Sequence, residues 1–206
     1  STLIGYASAS PATIGYYWTL QTGFVSVGDL PGSTTFAQPF GLSGDGATIV
    51  GRSHSSQSGS SSSHAFRWRA DSGMVGLPGL PGAPLSSWAE AVSRDGNVVV
   101  GGATAGFSGY AVYWDANGQL HELVAGGLAT AANDDGSAIV GRIGTSPSRA
   151  FRWTVESGVL DLGDLNPFSD TDAVAETVSA DGRIIYGISR SPLGGATMYE
   201  PFRWTP

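Results

Sequence analysis

The stretch Ala91-Val92-Ser93-Arg94-Asp95-Gly96-Asn97-Val98-Val99-Val100-Gly101, followed by Tyr110-Ala111-Val112-Tyr113-Trp114, decides the fold. An Asp-Gly pair between two apolar runs marks a tight hairpin turn, because glycine tolerates positive φ. The β-branched run after it ends in Gly101, and a second run ends in Trp114. The same order recurs along the chain. Asp-Gly pairs stand at Asp45-Gly46, Asp135-Gly136 and Asp181-Gly182, and each leads to a matching run: Ile49-Val50-Gly51, Ile139-Val140-Gly141 and Ile185-Tyr186-Gly187. Ile4-Gly5 opens the pattern without its turn, and Trp18, Trp68, Trp153 and Trp204 close it as Trp114 does.

Each copy reads as four strands, a to d. In the third copy, strand a is Ala89–Ser93 and strand b Val98–Gly101. Strand c is Tyr110–Trp114, and an Asn117-Gly118 turn leads into strand d, Leu120–Val124. Four strands in a repeat of roughly 40–50 residues, with Trp near the third, describe a propeller blade. The expected fold is an all-β, β-propeller-like array of about five four-stranded units, with a β-solenoid as the alternative. The units run approximately over 1–36, 37–88, 89–128, 129–172 and 173–206. The first lacks strand a and the last lacks strand d. Either two blades are three-stranded, or the ring is completed otherwise, or the array continues in a longer chain.

Composition agrees. Of 206 residues 31 are Gly, 41% are apolar and only 13% charged, about half the usual charged share. The formal net charge is −7, and all ten basic residues are Arg. Such a chain has no basic stripe to neutralise phosphates, which excludes nucleic acid as an expected partner. No apolar run is long enough to span a bilayer as a helix. With no cysteine there is no disulfide, thiol chemistry or Cys-ligated metal.

The order of signals resembles that of a WD-repeat blade, without its Gly-His pair. Three further segments carry a more specific resemblance: His64-Ala65-Phe66-Arg67-Trp68, Ala150-Phe151-Arg152-Trp153-Thr154 and Pro201-Phe202-Arg203-Trp204-Thr205. With Ala91–Gly96 and Thr177–Gly182 they resemble the bacterial extracellular HAF repeat family, named for its His-Ala-Phe tripeptide. The third unit departs most, with Ala111-Val112-Tyr113-Trp114. The resemblance implies a secreted or cell-surface protein, similar to autotransporter passengers and part of a larger exported chain. It transfers no catalytic residue.

Residues repeated once per unit are expected to serve the scaffold. The Trp series is core packing. Arg67, Arg152 and Arg203 face the opposite side of strand c, and Glu90 and Glu176 are their expected carboxylate partners. His54, His64 and His121 show no zinc spacing. No cofactor is required. Hard oxygen ligands for Ca2+ are offered by Asp170 with Asp172, or by Asn133, Asp134 and Asp135, but no twelve-residue calcium loop accompanies them. The five glutamates form no evident acid–nucleophile pair, and no Gly-x-Ser-x-Gly elbow is present.

The connections are asymmetric. Hairpins a–b and c–d are short, whereas the b–c connections (Arg52–Ser63, Gly102–Gly109, Arg142–Arg149, Ile188–Glu200) and the d–a connections vary. In a propeller both variable sets emerge at one end, and binding favours variable loops on a rigid scaffold. The expected ligand contacts are Trp88, which lies outside the Trp series, with Phe107, Tyr110, Phe168, Asp170 and Asp172. The expected function is non-enzymatic binding or adhesion to a carbohydrate or a cell-surface or matrix partner. A hydrolase with an unrecognised carboxylate site and a structural surface spacer are the alternatives.

Overall fold

The structure is a computed structural model that describes residues 1–32, 35–83, 85–165, 172–191 and 198–206, without the side chains of 59–61. Among the described residues there is no helix, and the strands form five antiparallel sheets in sequence order. Unit 1 holds β1 (Thr2–Ala9), β2 (Ala12–Thr19) and β3 (Gly23–Ser26); unit 2 holds β4 (Ala37–Leu42), β5 (Thr48–Ser55), β6 (Gly59–Arg69) and β7 (Gly73–Gly76). Unit 3 holds β8 (Ser87–Val92), β9 (Val99–Ala105), β10 (Ser108–Trp114) and β11 (Leu120–Ala125). Unit 4 holds β12 (Gly127–Ala132), β13 (Ala138–Ile143), β14 (Arg149–Thr154) and β15 (Gly158–Gly163), and unit 5 holds β16 (Ala173–Val178), β17 (Ile185–Arg190) and β18 (Tyr199–Trp204).

Successive a strands, β4, β8, β12 and β16, pack on one another, so they gather round a central axis. This is a β-propeller arrangement of separate sheets, not the continuous parallel sheet of a solenoid. Four apolar cores lie between neighbouring sheets. Ile49 and Phe66 meet Ile4 and Tyr17 of unit 1, and Val50 and Leu77 meet Val99 and Trp114 of unit 3. Val100 and Ala111 meet Ile139 and Phe151, and Val140 and Ala150 meet Ala175 and Ile185. The three inner sheets therefore bury both faces, which is why their strand b reads as a continuous apolar run instead of an alternation.

The Asp-Gly turns are built alike. Ser43, Ser93 and Ser179 each donate a side-chain hydrogen bond to the Asp two residues on, at 2.5–2.6 Å. The same hydroxyl accepts the backbone N–H opening strand b, that of Thr48, Val98 or Ile184. Asn133 replaces Ser in unit 4 and accepts from the Ala138 N–H. The glycines that follow have φ between 72° and 78°. These hydrogen bonds hold the Asp45 and Asp181 carboxyls below the ordinary carboxylate range.

All five series Trp occupy one register, opposite Leu3, Ile49, Val99, Ile139 and Ile185 of strand b. Only Trp114 is fully buried; its indole N–H donates to the Pro78 carbonyl at 2.8 Å. Trp68 and Trp153 pack against Tyr17 and Tyr113 of the preceding unit at 5.0 and 5.2 Å. The expected Arg–Glu pairs do not form. Arg67 donates to the carbonyls of Asp115, Ala116 and Asn97, and Arg152 to that of Gly182. Strand c lies far from the axis where Glu90 and Glu176 sit, so its guanidiniums find turn carbonyls of the next unit instead.

Two strand readings also change. Trp88 is the second residue of β8, so strand a of unit 3 begins at Ser87 rather than Ala89. The b–c connections of units 2 and 3 are mostly strand: β9 and β10 leave only Gly106 and Phe107 between them, and β5 and β6 leave residues 56–58.

Candidate functional site

The axis is lined by a repeated backbone irregularity. Each full a strand shifts register at one place, leaving Phe40, Glu90, Thr130 and Glu176 as the extra residue of a β-bulge. A bulge re-aims the side chain it carries and often marks a functional rim. It also explains the glycine that ends each strand-b run. A Cβ on Gly51, Gly101, Gly141 or Gly187 would collide with the carbonyl of Gln38, Trp88, Leu128 or Val174 just before the bulge.

The bulge geometry repeats while its residues vary. The extra residue is Phe40, Thr130 or, in two units, a glutamate (Glu90, Glu176); the residue before the bulge differs in all four units (Gln38, Trp88, Leu128, Val174), and opposite it stand Arg52, Gly102, Arg142 and Ile188. The flanking turn residues are nearly constant. Variable residues at repeated axis-lining positions make this the candidate ligand site.

Units 2, 3 and 5 supply the chemistry. The Arg52 Nε donates to the Gln38 Oε1 at 2.8 Å, and its guanidinium lies over the rings of Phe36 and Phe40, 5.8 and 5.6 Å from their centroids. His54 stacks on Phe36 at 4.1 Å. Burial, together with the Arg52 charge, holds the His54 imidazole below its ordinary range. The Trp88 ring lies over Gly102, where a Cβ would come within 2.5 Å of it, so this position of β9 has room for no side chain. The Trp88 indole hydrogen-bonds the Glu90 carboxylate, which also feels the charges of Arg52 and Glu176.

Burial raises the Glu90 pKa above the ordinary 4.5, and the Glu176 charge adds to the rise; the Trp88 hydrogen bond and Arg52 oppose it. Thr130 is committed to the scaffold, donating to the Ala175 carbonyl at 2.6 Å. The site thus combines ring surfaces from Trp88 and Phe40, a guanidinium donor, an amide and two carboxylates. That set suits a ligand with many hydroxyls and an apolar face.

The residues expected at the ligand site scatter. Trp88 stands at the axis. Phe107 is fully exposed at the tip of the β9–β10 hairpin, and Tyr110 packs on the core between units 2 and 3. Asp172 is buried and holds the scaffold. It pairs with Arg190 at 3.3 Å, accepts from the Ser148 N–H at 2.9 Å and receives the Tyr199 hydroxyl at 3.3 Å. Phe168 and Asp170 lie outside the described residues. Of the calcium candidates, Asn133 and Asp135 direct oxygens at backbone N–H groups of their own turn, and Asp134 faces Arg94 at 3.9 Å.

A groove of about 510 Å3 opens at the opposite end, beside Tyr17, Trp68, Asp45, Arg69 and Asn97. Its polar groups are largely committed: Arg69 donates to Thr48 and to the Gly96 carbonyl, and Asp45 caps its own turn. It is the seam where units 1, 2 and 3 meet.

Sequence reading did not single out Phe36, Gln38, Phe40 and Arg52, and read Glu90 and Glu176 as carboxylate partners of the strand-c arginines. The available signal was divergence between units at the two positions flanking the third residue of strand a.

No family model matches the chain, and no curated protein does. Solved structures do. TolB from Acinetobacter baumannii superposes with a TM-score of 0.65 at 15% identity, over 99% of this chain and 50% of its own. TolB from Agrobacterium tumefaciens gives 0.62 at 16%, over 98% and 73%. The β-propeller domain of the Trilobed protease from Pyrococcus furiosus, described as having an open velcro topology, gives 0.60 at 10%, over 99% and 65%. The chain spans half the length of the first of these. At such identities the likeness establishes the fold, and the fold is the β-propeller.

Proposed function

We propose that the chain is a non-enzymatic binding module that takes a carbohydrate, or a glycosylated cell-surface or matrix partner, at the loop end of its axis. One observation carries this reading: the residues that the bulged a strands present, Gln38 and Phe40 in unit 2 and Trp88 and Glu90 in unit 3 among them, vary between units while the bulge and its turn repeat. The chemistry of Trp88, Phe40, Arg52, Gln38 and Glu90 supports a sugar, whose C–H face lies on a ring while its hydroxyls meet charged partners. The propeller end bearing the b–c and d–a connections is also the end where Trp88 and Arg52 stand.

The test is saturable binding on glycan and extracellular-matrix arrays, followed by titration of the best hit. Trp88→Ala and Arg52→Ala should each weaken binding at least ~10-fold, equivalent to about 1.4 kcal/mol. Phe107→Ala, at the exposed hairpin tip, should leave it unchanged. Equal affinity in all three variants would overturn the assignment.

The raised Glu90 pKa beside Glu176 favours one second reading, a hydrolase in which Glu90 is the acid and Glu176 the carboxylate partner. Turnover on a glycoside panel that vanishes in Glu90→Gln and in Glu176→Gln would establish it. A binder shows no turnover and retains affinity in Glu176→Gln.

The location we propose is extracellular or on the bacterial outer surface, within a larger exported chain. The HAF resemblance and the missing cysteines support it. The parent gene should encode an export signal and a surface anchor or translocation domain.

A further inference from the structure

Arg67 and Arg69 stand two residues apart on β6, so both face the same side of unit 2, toward unit 3. Only unit 2 sets arginine on both sides of its series Trp. The corresponding pairs are Tyr17 and Thr19, Tyr113 and Asp115, Arg152 and Thr154, and Arg203 and Thr205. Arg67 serves the scaffold as Arg152 does, by donating to turn carbonyls of the next unit. Arg69 departs from the repeat, and the other four units pack without it.

The hydrogen bonds of this pair leave charge and donors over. A guanidinium carries five N–H donors. Arg67 spends three, on the carbonyls of Ala116, Asn97 and Asp115, and Arg69 spends two, on the Thr48 hydroxyl and the Gly96 carbonyl. All of these acceptors are neutral. The Arg67 Nε is buried and meets no acceptor among the described residues. Neither arginine makes an ion pair among them. The carboxylates of the surrounding turns are occupied. Asp45 and Asp95 accept from serine and backbone N–H groups of their own turns, Asp115 from its turn and from His121, and Asp71 from Ser72. Two half-buried like charges thus stand side by side without a counter-ion. Burial, with the Arg69 charge, pulls the Arg67 guanidinium below its ordinary range, and Asp115 opposes the fall.

Both arginines border a groove of about 340 Å3, whose wall Ser72, Val75, Pro78 and Asn117 complete. No carboxylate of the described residues lines it. It lies between the c–d turns of units 2 and 3, both interior to the array, and on the outer strands, away from the axis. We propose that this groove is a second ligand site, one that takes an oxyanion: the carboxylate, sulfate or phosphate group of a ligand. The anion supplies the missing counter-charge and accepts from the N–H groups that Arg69 has left over, while Arg67, fixed by its three carbonyls, holds its charge beside it. Guanidinium geometry suits such groups, since paired N–H donors match paired oxygens. The groove is larger than a bare ion requires, and Val75 and Pro78 give it an apolar side on which the rest of a ligand rests.

Titration of the 206-residue chain with sodium sulfate, sodium phosphate and sodium acetate, followed by nuclear magnetic resonance of the arginine Nε–H groups, tests this. The Arg67 and Arg69 signals should shift along a saturable curve with at least one of the three anions, and the tightest identifies the group. Sodium chloride at equal ionic strength should not reproduce it, which separates a site from screening. Arg69→Thr, the residue that three other units hold, should weaken binding ~10-fold or more with unchanged circular dichroism. Arg69→Lys, which keeps the charge without the fork, should lose less. Arg149→Ala, which removes an exposed charge elsewhere, should leave binding unchanged. Absence of saturation with all three anions overturns the proposal. So does equal affinity in Arg69→Thr, or an equal loss in Arg149→Ala.

Discussion

His64 of the His-Ala-Phe tripeptide is held at both ring nitrogens. Its Nε2 donates to the Leu77 carbonyl at 2.9 Å and its Nδ1 is hydrogen-bonded to the Ser55 hydroxyl at 2.8 Å, in a buried position that disfavours the charged ring. Burial lowers its pKa below the ordinary 6.5. Because the folded pKa is depressed, the unfolded chain binds the extra proton first. The stabilising contribution is complete above about pH 6.5 and is lost as pH falls below it. Denaturant midpoints measured from pH 7.5 to 5 should fall over that window, and less steeply in His64→Ala. Nuclear magnetic resonance should find His64 still neutral at a pH where a free histidine is half charged. Glu90 has the opposite sign. Its folded pKa is raised, so its charge opposes folding at neutral pH, and that opposition disappears as pH falls to about 4.5. Glu90→Gln keeps an acceptor for the Trp88 indole and should raise the melting temperature at pH 7 while weakening ligand binding. A lower melting temperature would mean that Glu90 contributes a favourable ion pair with Arg52 that outweighs its burial.

At the scale of the strand, the bulge and its facing glycine form one device. Gly101→Ala places a methyl group against the Trp88 carbonyl, backbone against backbone, with no flexible side chain to yield. The expected loss is on the order of 3 kcal/mol by denaturant unfolding, with the same change at Gly141 giving a similar figure. A loss within experimental error would show that the bulge can relax into regular pairing. The Trp positions give a graded series. Trp114→Ala should cost about 3–5 kcal/mol because the ring is fully buried, and Trp18→Ala much less because its outer face has no covering unit. Equal costs would contradict the observed difference in packing.

Across the whole molecule, stability is distributed among four inter-sheet cores, each shared by two neighbours. Units 2, 3 and 4 are covered on both faces and the end units on one. Amide hydrogen exchange should therefore release β2 and β18 before β9 and β13, since local opening is cheapest where fewest apolar contacts are lost. Uniform protection in dilute solution would mean that the ends are covered as well as the middle.

The number of units, the place of each strand b and c, the Asp-Gly turns and the Trp register were legible along the chain. These depend on local chemistry: positive φ at glycine, apolar runs, and a side-chain oxygen capping its own turn. The sequence also marked Trp88 as exceptional, because that residue breaks a series. Which residues converge depends on the folded ring. Glu90 and Glu176 lie 86 positions apart and in non-adjacent units, yet share the axis, because every strand a is innermost. Arg67 and Arg152 reached carbonyls rather than carboxylates because radial distance from the axis, not spacing along the chain, set their neighbours. The bulge itself was silent in the sequence. An extra residue in one strand shows only against its partner's register, and that register is a property of the folded sheet.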